Sequence, residues 1–273
     1  MKRFRSTLLG SLATVVLSTS ACHPDQAATQ SPATGQPTTK EPAGPAAPPA
    51  AVTHRLPAGT ADTLHLTGGV VVRLQPSTAA AFNRLPADTV AEAYSTDPEP
   101  IDLAQLRVRR RGLDLRLQPT AGPLVKLSSV PDAQFTLQNS DAVRYQYLGS
   151  LPRVHQWVVR ANFWESDGTV LVDQRTGRYL EQPGRPFASP DGRHLVLCSP
   201  GLGGGDQVNK LSLVRVDATG PHLVWQREPT AWEAKEARWA SPTRVVLKRR
   251  HTLPDGSMPD DARVTYDELT LPR

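Results

Sequence analysis

Cysteine is scarce in this chain, with only Cys22 and Cys198 among 273 residues. That is too few for the disulfide framework of a small secreted scaffold. No hydrophobic run is long enough to span a bilayer: the apolar stretch Leu8 to Leu17 has ten residues, where a spanning helix needs about 20. A strong charge of one sign is also missing. The formal charge is +5, with 31 basic and 26 acidic residues. Lys2, Arg3 and Arg5 account for the basic residues of 1–21, which hold no acid, so 28 bases face 26 acids from residue 22 onward. A balance near +2 is not that of a polyanion binder, and nucleic acid is excluded as an expected partner. The usual catalytic signatures are absent too: there is no Gly-x-Ser-x-Gly elbow, His-Glu-x-x-His pair, Cys-x-x-Cys or P-loop. Gly201-Leu202-Gly203-Gly204-Gly205-Asp206 is glycine-rich, but no helix pattern follows to supply an anion-binding dipole. It reads as a strand connection.

What is present begins at the N-terminus. Lys2, Arg3 and Arg5 precede the apolar run, and Ser18-Thr19-Ser20-Ala21 leads into Cys22. A positive n-region, a short h-region and a small-residue exit make residues 1–21 a secretory signal peptide. The cysteine directly after the small residues resembles the lipobox of bacterial lipoproteins, in which cleavage precedes an acylated cysteine. Thr19 stands where that motif usually carries an aliphatic residue, and ordinary cleavage near Ala21 is the alternative. The resemblance implies lipidation at Cys22 and attachment to the membrane through a lipid anchor. With His23 rather than Asp at the second mature position, it also implies the outer membrane of a bacterial cell envelope. Whether the protein faces the periplasm or the surface stays open. With Cys22 acylated, Cys198 has no partner, and its place at the end of Leu195-Val196-Leu197 predicts a buried structural thiol.

Residues 23–52 form a Pro-, Ala-, Thr- and Gln-rich tract with almost no aliphatic side chains. Such a segment buries too little apolar area to offset its ordering entropy, so residues 22–52 are expected to be a disordered linker. Its reach is roughly 30 Å as a coil. Residues 53–273 are expected to be a single all-β domain. Thr63–Thr67 and Val70–Leu74 flank Gly68-Gly69, a hairpin pattern. The Ala-rich interval 79–94, interrupted by Pro86, predicts one or two short helices with Ser77 and Asp88 as N-caps. From Leu106 the strand period returns: Leu106, Val108 and Arg110 alternate with Arg107, Arg109 and Arg111, and Leu113, Leu115 and Leu117 alternate with Asp114 and Arg116. The arginines read as a solvated strand face, with an anionic-ligand patch as the functional alternative.

The second half contains a weak internal repeat. Val172-Asp173-Gln174-Arg175-Thr176-Gly177 recurs as Val216-Asp217-Ala218-Thr219-Gly220. Phe187-Ala188-Ser189-Pro190-Asp191-Gly192 is echoed by Trp239-Ala240-Ser241-Pro242. Asp-x-x-Thr-Gly closes a hairpin, and Ser-Pro-Asp-Gly is a turn with Pro at its second position. Over about residues 143–250 these units resemble the repeats of TolB-type and WD40-like propellers. The second copy lacks the Asp-Gly, and two to three blade-like units are visible where a closed propeller has four to eight blades. The expected architecture is therefore propeller-like or stacked antiparallel sheets. Tyr145-x-Tyr147-x-Gly149, Trp157 and Trp164-Glu165 also resemble uncharacterised envelope proteins, a likeness that implies no activity.

No metal or cofactor is expected, because the histidines are scattered singly and Asp255–Asp261 lacks the carboxylate spacing of a calcium loop. That stretch reads as a hairpin connection. Tyr145, Tyr147, Trp157, Trp164 and Glu165 are the candidate ligand-binding residues, either a sugar-binding surface or, for the tryptophans, packing anchors between sheets. The function expected is non-catalytic binding or assembly, with an envelope protein or glycan as partner. The alternative is an envelope hydrolase acting on glycan or peptide, its site assembled from distant strands. For the anchor, the expected outcome is an acyl modification on Cys22 by mass spectrometry and retention in membranes under washes that release peripheral proteins; release with an unmodified N-terminus sinks it.

Overall fold

The structure of the protein is a computed structural model, described for residues 63–65, 71–87 and 107–271. The signal peptide, Cys22, the Pro/Ala/Thr-rich tract, the Gly68-Gly69 turn, Leu106 and Asp88 lie outside the described residues. Among the described residues no helix is long and apolar enough to cross a membrane.

The fold is all-β, as the alternation and turn signals predict. In chain order the strands are β1 (Thr63–His65), β2 (Val71–Pro76), β3 (Val108–Arg111), β4 (Asp114–Leu117), β5 (Val125–Ser128), β6 (Arg144–Leu151), β7 (Gln156–Asn162), β8 (Asp167–Asp173), β9 (Tyr179–Gln182), β10 (Arg185–Ala188), β11 (His194–Ser199), β12 (Lys210–Asp217), β13 (Gly220–Arg227), β14 (Trp232–Ser241), β15 (Arg244–His251) and β16 (Val264–Thr270). They form four antiparallel sheets: β3-β4-β5, β6-β7-β8-β9, β10-β11-β12-β13, and β1-β2-β16-β15-β14. The last joins early strands to late ones, with Leu74 opposite Leu269. In β1–β2, Thr63 faces Arg73 and His65 faces Val71. That register is centred on residue 68 itself, half a step from what a two-residue Gly68-Gly69 turn sets.

Three apolar clusters join successive sheets. Val108, Leu115, Leu117, Val125 and Leu127 of the first sheet pack on Tyr147, Trp157, Val159, Val170 and Val172 of the second. Leu148, Val158 and Leu171 of the second pack on Leu195, Leu197, Val214 and Val216 of the third. Phe187, Val196, Cys198, Leu211, Leu213 and Trp225 of the third meet Leu74, Trp232, Trp239, Val245, Leu247 and Leu269 of the fourth. The two central sheets are thus covered on both faces. This is why β8 and β11 read as continuous apolar runs rather than alternating ones: neighbouring side chains point into different clusters, and both are dry. Each fully buried aliphatic side chain contributes about 1.5–3 kcal/mol. Cys198 is wholly buried, and burial pushes its thiol far above the ordinary range, as expected of a structural cysteine.

Of the interval 79–94, where one or two short helices are expected, residues 79–87 are described, and they hold a single turn, α1 (Ala79–Asn83). Its cap is not Ser77 but Thr78, whose hydroxyl accepts from the Ala81 N–H at 3.1 Å. Ser77 is taken by the sheet, since its N–H donates to the Tyr266 carbonyl at 2.7 Å. Phe82 is buried against Tyr266, ring centroids 5.2 Å apart.

The repeated motifs occupy equivalent places. Asp-x-x-Thr closes β8–β9 of the second sheet and its shorter form, Asp217-Ala218-Thr219, closes β12–β13 of the third, while Ser-Pro closes β10–β11 of the third and β14–β15 of the fourth. Asp173 accepts from the N–H groups of Arg175 and Thr176 at 2.9 Å each. Asp217 accepts from the Thr219 N–H at 2.8 Å and hydroxyl at 2.6 Å. Ser189 donates to Asp191 at 2.6 Å, and Gly192 follows at φ 71°. A Cβ on Gly192 would strike the Arg153 carbonyl of the neighbouring sheet, so this glycine serves both the turn and the close approach of two sheets. Asp255–Asp261 lies in the connection between β15 and β16, as its hairpin reading predicts.

These turn carboxylates make stability acid-sensitive. Burial alone would raise Asp173 and Asp191, but in Asp173 the Arg175 guanidinium and two backbone N–H groups outweigh it, and in Asp191 the Ser189 hydroxyl and Arg193 N–H do. Both are held below the usual carboxylate range. Asp217 is lowered to about 2, first by the Thr219 hydroxyl and N–H. A carboxyl with a depressed folded-state pKa contributes stability above its unfolded value of about 4 and loses it as pH falls through the folded value. The urea midpoint is therefore expected to fall between roughly pH 4 and pH 2. Asp173→Asn is expected to be less stable at neutral pH and to show a shallower acid decline; an unchanged slope counts against this linkage.

Candidate functional site

With both faces of the central sheets occupied, open space remains at strand ends. One cleft of about 320 Å³ is lined by Ser150–Arg153 at the end of β6, Phe187, Ala188 and Pro190 from β10 and its turn, Ala237–Trp239 from β14, and Pro86 and Ala87 after α1. Edge strands of three successive sheets, β6, β10 and β14, therefore share it. Its construction follows from turn chemistry. Pro152 begins a 3-10 turn that ends at His155 in the left-handed region, φ 52°. Pro190 holds the Ser189–Gly192 turn beside it, and Gly192 lets the two turns touch. Trp239 crosses between sheets, its indole N–H donating to the Phe187 carbonyl at 2.9 Å. Arg238 is fixed by Glu236 at 2.8 Å, the Leu85 carbonyl at 3.2 Å and the Phe82 ring, 4.5 Å from guanidinium carbon to centroid. Arg153 stands exposed at the rim. Among the described residues no carboxylate, imidazole or thiol lines this cleft. Its aromatic side chains and guanidinium charge suit holding a ligand with carbonyl or anionic groups.

A second cavity of about 330 Å³ lies between the second and third sheets at the other set of turns, lined among others by Phe163, Asp167, Glu181, Gln182, Asp206 and Lys210. Two of its charged groups are engaged: Arg160 donates to Asp167 at 2.9 and 2.7 Å, and Lys210 lies 3.0 Å from Glu228. Glu181 and Asp206 are exposed at the rim. Gln207 braces the wall, accepting from the Asp167 N–H at 2.7 Å and donating to the Ser199 hydroxyl at 2.7 Å.

The five candidate ligand-binding residues are not brought together on one surface. Tyr147 and Trp157 are each 1% exposed, packed in the cluster beneath the first sheet. Tyr145 is half-buried on β6, and burial, with the Glu181 charge adding to it, raises its phenol. Trp164 and Glu165 are exposed in the β7–β8 turn. There Trp164 meets the Phe135 ring at 5.8 Å, and the Arg144 guanidinium covers Phe135 at 4.2 Å. Trp225, Trp232 and Trp239 are buried between the third and fourth sheets, so four of the five tryptophans act as the packing anchors expected of aromatics in repeating β units. The cleft residues Arg153 and Arg238 carry no sequence signal. Phe187 and Trp239 do: each stands two residues before a Ser-Pro turn, a position read for fold rather than for a site.

The chain matches no family model, and no curated protein or solved structure is significantly similar to it.

The indole bond is the testable element of the cleft wall. Trp239→Phe keeps the ring but leaves the Phe187 carbonyl without its donor, with an expected loss of about 1–3 kcal/mol in urea unfolding; Trp239→Ala is expected to lose about 3–5 kcal/mol. Equal stabilities for the wild type and the Phe variant would remove the hydrogen bond from this account.

Proposed function

We propose that the protein is a lipid-tethered extracytoplasmic binding module of the bacterial envelope, most plainly of the outer membrane, and that it holds a protein or glycan segment in the cleft between β6, β10 and β14. One observation carries the binding part: three sheets each contribute an edge strand to a cleft that, among the described residues, is lined by aromatic and guanidinium side chains and by no carboxylate, imidazole or thiol. Such a lining suits recognition and retention of a ligand. The recurrence of the same turns at equivalent hairpins supports reading the sheets as propeller-like units. The lipobox-like Ser18–Cys22 segment and the tract after it support the tether.

A second reading, an envelope hydrolase, draws on Glu181 and Asp206 at the second cavity. Carboxylates flanking a scissile bond are the equipment of glycan hydrolysis.

Site-specific photo-crosslinking in intact cells separates the two. A crosslinker at Arg153 is expected to capture a defined envelope component, and one at Leu223, exposed on the outer strand β13, is expected not to. Release of fragments from purified peptidoglycan, abolished by Glu181→Gln or Asp206→Asn and untouched by Arg153→Ala, would instead establish the hydrolase.

A further inference from the structure

The first sheet of the stack keeps its apolar side chains on the inner face, where Val108, Leu115, Leu117, Val125 and Leu127 are buried. Its outer face is almost wholly basic. Arg109 stands directly opposite Arg116, and Arg116 directly opposite Lys126, one row across three strands. Arg111, in the next row, faces Asp114. Arg107 is in phase with them at the entrance to β3 and donates to the Thr120 hydroxyl at 2.8 Å. Asp114 is the one carboxylate in these rows, shared by Lys126 at 3.0 Å and Arg116 at 3.6 Å. Among the described residues these rows hold five cations and one acid, while the chain from residue 22 onward totals about +2.

Like charges directly opposite one another in an antiparallel sheet destabilise it, so such a row needs a reason. Ending the stack is not sufficient reason. The fourth sheet, at the other end, sets Glu236 opposite Lys248 across β14 and β15, joins Arg244 to Glu268 at 3.5 Å, and carries α1 through Phe82 on Tyr266. Mixed signs keep that end from adding a sheet without the repulsion.

We infer that the outer face of β3-β4-β5 docks on a bilayer surface rich in anionic phospholipid headgroups. Three features favour a lipid plane over a soluble polyanion. The face is a short three-stranded sheet whose residues line neither of the two cavities. Its cations are arrayed in rows across three strands rather than along one line. Exposed leucines flank it at both ends, Leu113 (46% exposed) in the β3–β4 turn and Leu124 (47% exposed) just before β5. Basic rows bordered by apolar side chains match the headgroup–acyl boundary, where cations meet phosphate and leucines reach the first methylenes. The inference rests on the tethered reading above for its nearness to a membrane.

Co-flotation of the full-length chain with two vesicle types tests both. One is phosphatidylcholine alone; the other adds phosphatidylglycerol. The expected result is binding to both, tighter on the anionic vesicles by at least about tenfold, with the excess lost in high salt. The triple variant Arg109→Gln, Arg116→Gln, Lys126→Gln is expected to lose that excess and keep its binding to neutral vesicles. Arg109→Lys with Arg116→Lys, which conserves charge, is expected to retain the excess and guards against misfolding of the triple variant. Equal binding to the two vesicle types overturns the docking face and leaves the tether standing. Binding to anionic vesicles alone overturns the tether and leaves the face. Binding to neither overturns both. Capture of soluble polyphosphate without preference for anionic vesicles overturns the lipid in favour of a polyanionic polymer.

Discussion

The two central sheets have no wet face, and the rest of the molecule follows from that constraint. In β11, Leu195 and Leu197 face the second sheet while Val196 and Cys198 face the fourth. A charge placed mid-strand there would be stranded on either side. Polarity is therefore driven to the strand ends, where it becomes turn chemistry. Asp173 shows how tightly: its side chain is wholly buried at the end of β8 and holds Arg175, Thr176 and the Gln156 side chain. The turns consequently do two jobs. They reverse the chain, and they neutralise the polar groups that the dry sheets cannot hold.

The same constraint decides where a ligand can go. A sheet open on one side offers its face for binding; a sheet covered on both sides offers only its ends. The cleft beside Arg153 and Trp239 is such an end, and so is the cavity beside Glu181 and Asp206. The two lie at opposite sets of turns and differ in chemistry, one lined by guanidinium and aromatic groups, the other by carboxylates. Among the described residues the outermost sheets have one face outside the apolar clusters, and they treat it differently: the fourth carries α1 and charges of both signs, while the first sets like charges in a row.

Much of the fold was legible because its signals are local. Alternation marks β3 and β4, an Asp-x-x-Thr or Ser-Pro turn marks a hairpin wherever it falls, and burial of a lone cysteine follows from Leu195–Leu197 beside it. Helix capping was legible only in kind. Ser77 and Thr78 are equally good caps by composition, and the choice is made by β16, which takes the Ser77 N–H. The candidate site was hardly legible at all. Tyr145, Tyr147 and Trp157 look like a ligand platform along the chain, yet β3-β4-β5 covers the last two, a fact that depends on residues about 20 to 50 positions away. The cleft draws on four separate segments, 86–87, 150–153, 187–190 and 237–239, and much of its wall is backbone, which leaves no mark on residue identity.

Charge carries the remaining argument. The near-neutral total of residues 22–273 conceals an uneven distribution, for five cations and one acid share the outer rows of β3-β4-β5. Electrostatic attraction to a membrane acts only within roughly a Debye length, about 8 Å at physiological salt. A handful of cations on a freely diffusing protein would give weak and transient contact. In the tethered reading proposed above, encounter becomes an intramolecular event, so a modest face is enough. Since sheets stack along their normals and clefts open at strand ends, a domain resting on β3-β4-β5 would hold the Arg153 cleft facing sideways, along the membrane rather than away from it. A partner reached in that posture is one that itself lies at the membrane surface.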